Sequence, residues 1–289
     1  MVYCACDVVS EQILCRRFAR SAYGVLLAAG WKRSTVYANL RHVGIASDEA
    51  HARKIYRGIL NNLTRHVGEL LFCFGTFKRL PADLSCYPCR VDGWNFRIAE
   101  GSAPVLEKMR QGGIFLTAHY GNYEAIGPWL CCLGIPLTAS YIPVKPSWLN
   151  RILEGRIRAV GGRRYSVDAR TPREFLRLLD SGNLFCLLSD QDSRIPSAVG
   201  GEFLGKRVHN NPLPGFLLKH RPGTPVFVCW LEDYDASVKK LHAVEVPPQS
   251  VMDGFNDWLG RLVGGHPCYW YGFTHRRFRS SDGDIYRTK

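Results

Sequence analysis

The sequence predicts an α/β fold, a largely parallel central sheet covered by helices, with a helical N-terminal extension. Three observations lead there. From residue 114 onward, short apolar runs alternate with segments of helical spacing, the pattern of strand-helix-strand units. Over residues 11–77, apolar positions recur at helical intervals among Arg16, Arg17, Arg20, Lys32, Arg33, Arg41, Arg53 and Arg57. At 289 residues the chain suits one large core rather than two full domains. The expected division is 1–80, helical and membrane-facing, followed by 81–289 as the α/β domain, the two forming one continuous unit.

In chain order, the N-terminal third reads as two or three amphipathic helices. Ser47, Asp48 and Glu49 mark a helix start with acidic residues at its positive end. A basic amphipathic helix of this kind either lies on an anionic membrane or packs its apolar stripe on the main domain. Residues 81–92, with two Pro and two Cys, read as the connection. Strands are expected at 114–118, 136–141, 184–189, 225–231 and 242–246, and helices at 123–133, 147–160, 172–180 and 213–220. In sheets of this type, ligands collect at the carboxyl ends of the strands.

A net charge of +13 raises affinity for any polyanion. Helix-turn-helix, zinc-finger and RNA-stacking patterns do not stand out, so nucleic acid is not expected as a partner. Eleven scattered cysteines point to reduced thiols rather than a disulfide framework, and the single C-x-x-C, Cys86 and Cys89, lacks the further ligands of a zinc site. Residues 21–31 form an uncharged apolar stretch shorter than the ~20 residues that cross a bilayer. The start of the chain has no secretory-signal pattern, which leads to the expectation of a protein on the cytoplasmic side.

The chemistry centres on Thr117-Ala118-His119-Tyr120-Gly121-Asn122-Tyr123-Glu124. Spacing alone is uninformative: nine histidines and 25 acidic residues in 289 give about one His-x4-acid by chance, and the chain has one. Position is informative. A histidine at a strand's carboxyl end, followed by Gly121 and Asn122, stands at the mouth of the sheet, and a tight turn there can bring Glu124 back to the imidazole. A carboxylate on one ring nitrogen fixes the tautomer and leaves the other to take a proton from a hydroxyl. The alternative is a histidine satisfied by a backbone carbonyl.

This stretch resembles the His-x4-Asp/Glu block of glycerolipid acyltransferases, particularly the late acyltransferases of lipid A biosynthesis and the related phosphatidylinositol mannoside acyltransferases. Tyr141-Ile142-Pro143-Val144-Lys145-Pro146, with Leu149-Asn150-Arg151, Arg156 and Gly161-Gly162-Arg163, is similar to the second block. Leu188-Ser189-Asp190-Gln191-Asp192 is similar to the third, and Phe203-Leu204-Gly205, Gly223-Thr224-Pro225-Val226, His266-Pro267, Tyr269-Trp270-Tyr271 and His275-Arg276-Arg277-Phe278 follow in the family order. The likeness runs from about residue 16 to 279. Ser189 replaces a usual Pro, Leu204 replaces a common Phe, and the N-terminal hydrophobic anchor is abbreviated.

The resemblance implies direct transfer of a fatty acyl group from acyl carrier protein or acyl-CoA to a hydroxyl of a membrane glycolipid such as a lipid A precursor, on the cytoplasmic face of the bacterial inner membrane. His119 is then the base and Glu124 its partner, with no metal or bound cofactor. No Gly-x-Ser-x-Gly nucleophile motif occurs, in keeping with a route without an acyl-enzyme. Substrate-binding candidates are Arg156 first, then Arg163 and Arg164, as guanidinium partners for phosphate. Asp190 is expected to orient Arg156 or the acceptor. Asp192 and Asn122 join it, and Phe203 and Gly205 are read as an acyl-pocket wall or else a plain turn. Trp270, Tyr271, Arg276, Arg277 and Arg279 are expected either at a membrane interface or on a packed C-terminal helix. A different acceptor, or a noncatalytic protein binding lipid or nucleic acid through its basic surface, are the alternatives.

Overall fold

The computed structural model of the chain describes residues 5–141, 145–168 and 170–287. Four helices open it: α1 (Ala5–Ala28), α2 (Arg33–His42), α3 (Glu49–Phe72) and the short α4 (Phe74–Phe77). Asp48 caps α3 by accepting the backbone N–H of His51 at 2.7 Å, as the Ser-Asp-Glu signal predicts. The buried stripe of α3 runs through Ile55, Ile59, Asn62, His66 and Glu69 at helical intervals, so apolar and polar residues share the face it turns inward. Ile55 and Ile59 join one core cluster with strand and C-terminal residues, which makes α3 part of the main packing.

After α4 the chain enters an antiparallel pair, β1 (Cys89–Val91) and β2 (Trp94–Ile98), and then α5 (Ser102–Met109). The sequence reading ended its connection at Asp92 and assigned no strands here. Asp92 and Gly93, both at positive φ, form the two-residue turn of a hairpin. Then come β3 (Gly113–Thr117), α6 (Ile126–Cys132), β4 (Leu137–Ser140), α7 (Ser147–Arg156), the two-residue strands β5 (Ala159–Val160), β6 (Arg163–Arg164) and β7 (Ser166–Val167), and α8 (Pro172–Asp180). Next are β8 (Leu184–Leu188), the hairpin β9 (Val199–Phe203) and β10 (Lys206–Asn210), α9 (Leu213–His220), β11 (Val226–Glu232), β12 (Val238–Val246) and α10 (Val251–Gly265). A run of short 3₁₀ turns closes the chain.

Eight strands form one sheet in the order β1-β2-β12-β11-β3-β8-β4-β7, parallel except at β1/β2 and β11/β12. All five residues of β3 are buried, because it is covered on both faces and flanked by β11 and β8. One core lies under α2, α3 and α10, and the other gathers α5 and α6 around Trp129 and Phe96. Among the described residues, no helix is long and apolar enough to cross a membrane.

Candidate active site

The site is built at the carboxyl edge of the sheet. β3 and β8 are parallel neighbours with Thr117 opposite Leu188. His119 and Asp190 each lie two residues beyond that pair, so the register brings them level. His119 is the middle residue of a three-residue turn closed by the Tyr120 N–H to the Ala118 carbonyl at 2.7 Å. Its Nδ1 is 2.8 Å from Asp190 Oδ1, and its backbone N–H donates to Asp190 Oδ2 at 3.0 Å. Trp270 Nε1 donates to the same Oδ2 at 2.9 Å.

Partner chemistry fixes the tautomer. An ionised carboxylate only accepts, so Nδ1 carries the proton and Nε2 carries the lone pair. Nε2 has no hydrogen-bond partner among the described residues, and the His119 side chain is 17% exposed while Asp190 is fully buried. Burial works against the imidazolium, but the charge and hydrogen bond of Asp190, with a smaller contribution from Glu124, outweigh it and raise the His119 pKa above the ordinary value. Burial also pushes the Asp190 carboxyl up. The His119 charge and ring hydrogen bond, the Trp270 indole and the His119 backbone N–H overcome it and hold Asp190 at about 2.

The C-terminal segment ties the catalytic turn down. Tyr271 N–H donates to the His119 carbonyl and Gly121 N–H to the Tyr269 carbonyl, both at 2.8 Å. Gly121 has φ +60°, and a Cβ there would stand 2.8 Å from the Leu231 carbonyl, so both conformation and space require glycine.

Glu124 is not the carboxylate on the imidazole, which corrects the sequence reading. After Asn122 the chain enters a 3₁₀ turn, Tyr123–Ala125, that directs Glu124 into a pocket between β4, β7 and the end of β8. This pocket of about 80 Å³ has apolar walls including Phe115, Leu137 and Leu188, and holds Arg158 and Ser166 beside Glu124. Arg158 Nη1 and Ser166 Oγ are buried and have no hydrogen-bond partner there. Burial raises the Glu124 pKa, and Arg158 and His119 oppose it only in part. Tyr123 lines the pocket and packs edge-on against His119 with ring centroids 4.9 Å apart.

Asp190, expected to orient Arg156 or the acceptor, is fully buried and bonded to His119. The Arg156 side chain lies outside the described residues, as do residues 142–144. Arg163 and Arg164 are exposed on β6, and Arg164 pairs with Glu154 at 3.1 Å. Asp192 accepts from Ser280 at 2.7 Å. Leu204 and Gly205 form the turn of the β9/β10 hairpin, and buried Phe203 packs on Trp270 at 5.0 Å, so the two named residues lie away from the Glu124 pocket. Trp270, Tyr271 and Arg277 are buried rather than interfacial, and none is on an α-helix: Trp270 bridges to Tyr120, Tyr271 opens a 3₁₀ turn and Arg277 lies in a turn after it. Arg277 donates to the carbonyls of Gln191 and His209 and to Asn210 Oδ1, which holds the segment after β8 against the hairpin.

A buried ionic network under the catalytic turn has no counterpart in the sequence reading, and it holds Asn122, expected to bind substrate but buried against Glu69. Asn122 Nδ2 donates to Glu69 at 2.7 Å, and Lys239 Nζ contacts both Glu69 oxygens at 2.8 and 2.9 Å and Asp233 at 3.1 Å. Asp233 also takes Arg65 at 2.8 Å and His66 Nε2 at 2.7 Å, while His66 Nδ1 meets the Tyr271 hydroxyl. Burial lowers the His66 pKa, with Asp233 opposing, so His66 is neutral, donating through Nε2 and accepting from Tyr271. Two cations then balance two carboxylates. Burial disfavours both carboxylates, but Lys239 opposes it most at Glu69, and His66, whose Nε2–H donates to Asp233, opposes it there together with Lys239 and Arg65, so both pKa values end below normal. His66, Glu69 and Asp233 have the spacing of a metal cage, yet Lys239 already supplies the cation between the two carboxylates. Both signals were present in sequence: Lys239 alternates with Leu241 and Ala243 on the buried face of β12, and Glu69 lies on the stripe of Ile55 and Ile59.

A comparison with protein-family models finds no match for this chain, and a comparison with curated proteins finds none either.

Proposed function

We propose that the chain is an acyltransferase that moves a fatty acyl group from a thioester, acyl carrier protein or acyl-CoA, to a hydroxyl of a membrane glycolipid. The observation that carries this reading is the His119–Asp190 pair at the sheet edge, with Nε2 left as an unpaired base. The motif resemblance to the lipid A acyltransferases supplies the reaction class, and no nucleophile has to be added. Nε2 takes the acceptor's hydroxyl proton as its oxygen forms a bond to the thioester carbonyl. The tetrahedral oxyanion then collapses, the C–S bond breaks, and the thiolate leaves with the proton from the imidazolium. Asp190 stabilises that imidazolium throughout. Base catalysis of this kind is worth about 10²–10⁴ in rate.

Glu124 and Arg158 give the acceptor polar anchors within a largely apolar pocket, and Arg158 takes the phosphate-recognition role expected of Arg156. A membrane-surface location is supported by α1, which exposes Ile13, Leu14 and Val25 near Arg16, Arg17 and Arg20, and by Trp148, 60% exposed on α7. Such a protein works at the cytoplasmic face of a bacterial inner membrane without spanning it.

The deciding experiment follows transfer of a radiolabelled acyl thioester to glycolipid by the wild type and by His119→Ala. Loss of transfer in a folded variant supports the reading, and wild-type-like turnover ends it. Mass spectrometry of glycolipids made with and without the protein identifies the acceptor.

A further inference from the structure

We infer that the cleft between α2 and the C-terminal segment binds the phosphate groups of the acyl donor. The inference rests on the acyltransferase reading for the donor's identity, but the cleft itself is independent of the catalytic pair.

Arg33, Tyr37 and Arg41 follow one another at four-residue intervals, so they form a single stripe along α2. Opposite them stand Arg276, Tyr286 and Arg287, enclosing about 620 Å³. Each wall therefore alternates guanidinium and phenol. Among the described residues, Arg33, Arg41 and Arg276 have no carboxylate within ion-pair distance, and the one ion pair in the cleft joins Arg287 to Asp284 at 3.2 Å. Guanidinium groups of like charge facing one cavity repel one another, a cost that an anionic ligand removes. Forked donors match phosphate oxygens, and Tyr37 suits a flat ring carried beside the phosphates, while the Tyr286 ring positions Arg276, whose guanidinium lies 5.7 Å from its centroid.

The cleft is held in shape from below. Asn39, buried on α2, donates to the carbonyls of Phe273 and His275, both at 2.8 Å, and accepts from the Tyr286 hydroxyl. Its relation to the active site is direct: Arg276 follows His275, whose ring centroid lies 5.9 Å from that of His119. The segment that carries Arg276 into the cleft thus also borders the base.

The test measures equilibrium binding of inorganic pyrophosphate, coenzyme A and phosphatidylglycerol vesicles to the full chain and to Arg33→Gln/Arg41→Gln/Arg276→Gln. All three positions are exposed, so the triple variant should melt as the wild type does. We expect the wild type to bind pyrophosphate and coenzyme A, more weakly at high salt. The triple variant should lose at least tenfold for both and keep its vesicle binding, while His119→Ala should bind as the wild type does. Unchanged coenzyme A affinity in the triple variant, no binding by the wild type, or a loss confined to vesicles would each overturn the assignment. Because binding is read without turnover, a failed cleft leaves the acyltransferase reading standing, and inactive catalysis leaves a phosphate site that still binds.

Discussion

His119 and Asp190 are 71 positions apart in the chain and joined twice, through the imidazole Nδ1 at 2.8 Å and the backbone N–H at 3.0 Å. The two bonds use different oxygens of one carboxylate, so the side chain fixes the ring and the turn that carries it together. The parallel register of β3 and β8 sets this relationship before any side chain is considered.

Asp190→Asn tests it. The substitution keeps the shape and removes the charge: with the amide oxygen accepting from Trp270 and the His119 backbone N–H, the amide NH2 donates to Nδ1, which moves the ring proton to Nε2 and removes the base. Acyl transfer should fall by about 10²–10⁴-fold, the worth of the base it supports. Loss of the charge-assisted bonds to a buried carboxylate should cost about 1–3 kcal/mol in urea unfolding. Near-normal kcat in Asp190→Asn would remove Asp190 from the mechanism.

The pH profile follows from the same pair. His119 acts as a neutral base, so kcat/KM should rise as the imidazolium deprotonates, with its midpoint above 6.5. Without Asp190 the lowering effect of burial is no longer outweighed, so the midpoint in Asp190→Asn should move to lower pH. Stability carries two opposite signs. Asp190 has a depressed pKa, so its contribution is complete above the ordinary carboxylate value of 3.8 and is lost as pH falls through about 2. His119 has a raised pKa, so its contribution is complete below 6.5 and is lost as pH rises through the raised value. Thermal melts of the wild type and Asp190→Asn across pH 2–9 check both slopes.

The strands and helices that frame the site were legible in the sequence because parallel-sheet strands are continuous apolar runs bounded by turns. His119 and Asp190 were both readable as strand-end residues at one sheet edge. Their bond was not, since that requires knowing that β3 and β8 are neighbours in a given register. The sequence-local choice, Glu124, satisfied the need for a carboxylate but not the 3₁₀ turn that aims it elsewhere. Trp270 shows the same limit: an aromatic among arginines suits an interface until long-range packing buries it against Phe203.

Glu124 and Arg158 should behave differently from Asp190. Glu124 makes no hydrogen bond to His119, and its charge is the smallest of the influences on that ring. Glu124→Gln should therefore shift the pH midpoint less than Asp190→Asn does. Arg158→Gln should raise KM for the acceptor by about 10–100-fold, the value of a hydrogen bond to a charged group, with a much smaller change in kcat. Steady-state kinetics against acceptor concentration separates the two. A Glu124→Gln profile matching that of Asp190→Asn would restore the carboxylate role to Glu124.

Lys239 is the test of the network beneath the turn. Its Nζ is buried and contacts Glu69 and Asp233, which leaves two cations facing two carboxylates. Lys239→Met keeps most of the volume and strands a negative charge in the core, so it should cost about 3–5 kcal/mol in urea unfolding. Lys239→Met/Glu69→Gln removes one charge of each sign and leaves Arg65 paired with Asp233. The double variant should therefore recover part of the loss, a coupling that independent sites would not give. Asn122 donates to Glu69, so the single variant should also loosen the catalytic turn and lower kcat, with the double variant regaining stability more fully than rate. Additive losses across the two substitutions would mean that the charges are not balanced against each other, and the turn would then owe its position to Asp190 and the backbone bonds of Tyr269 and Tyr271.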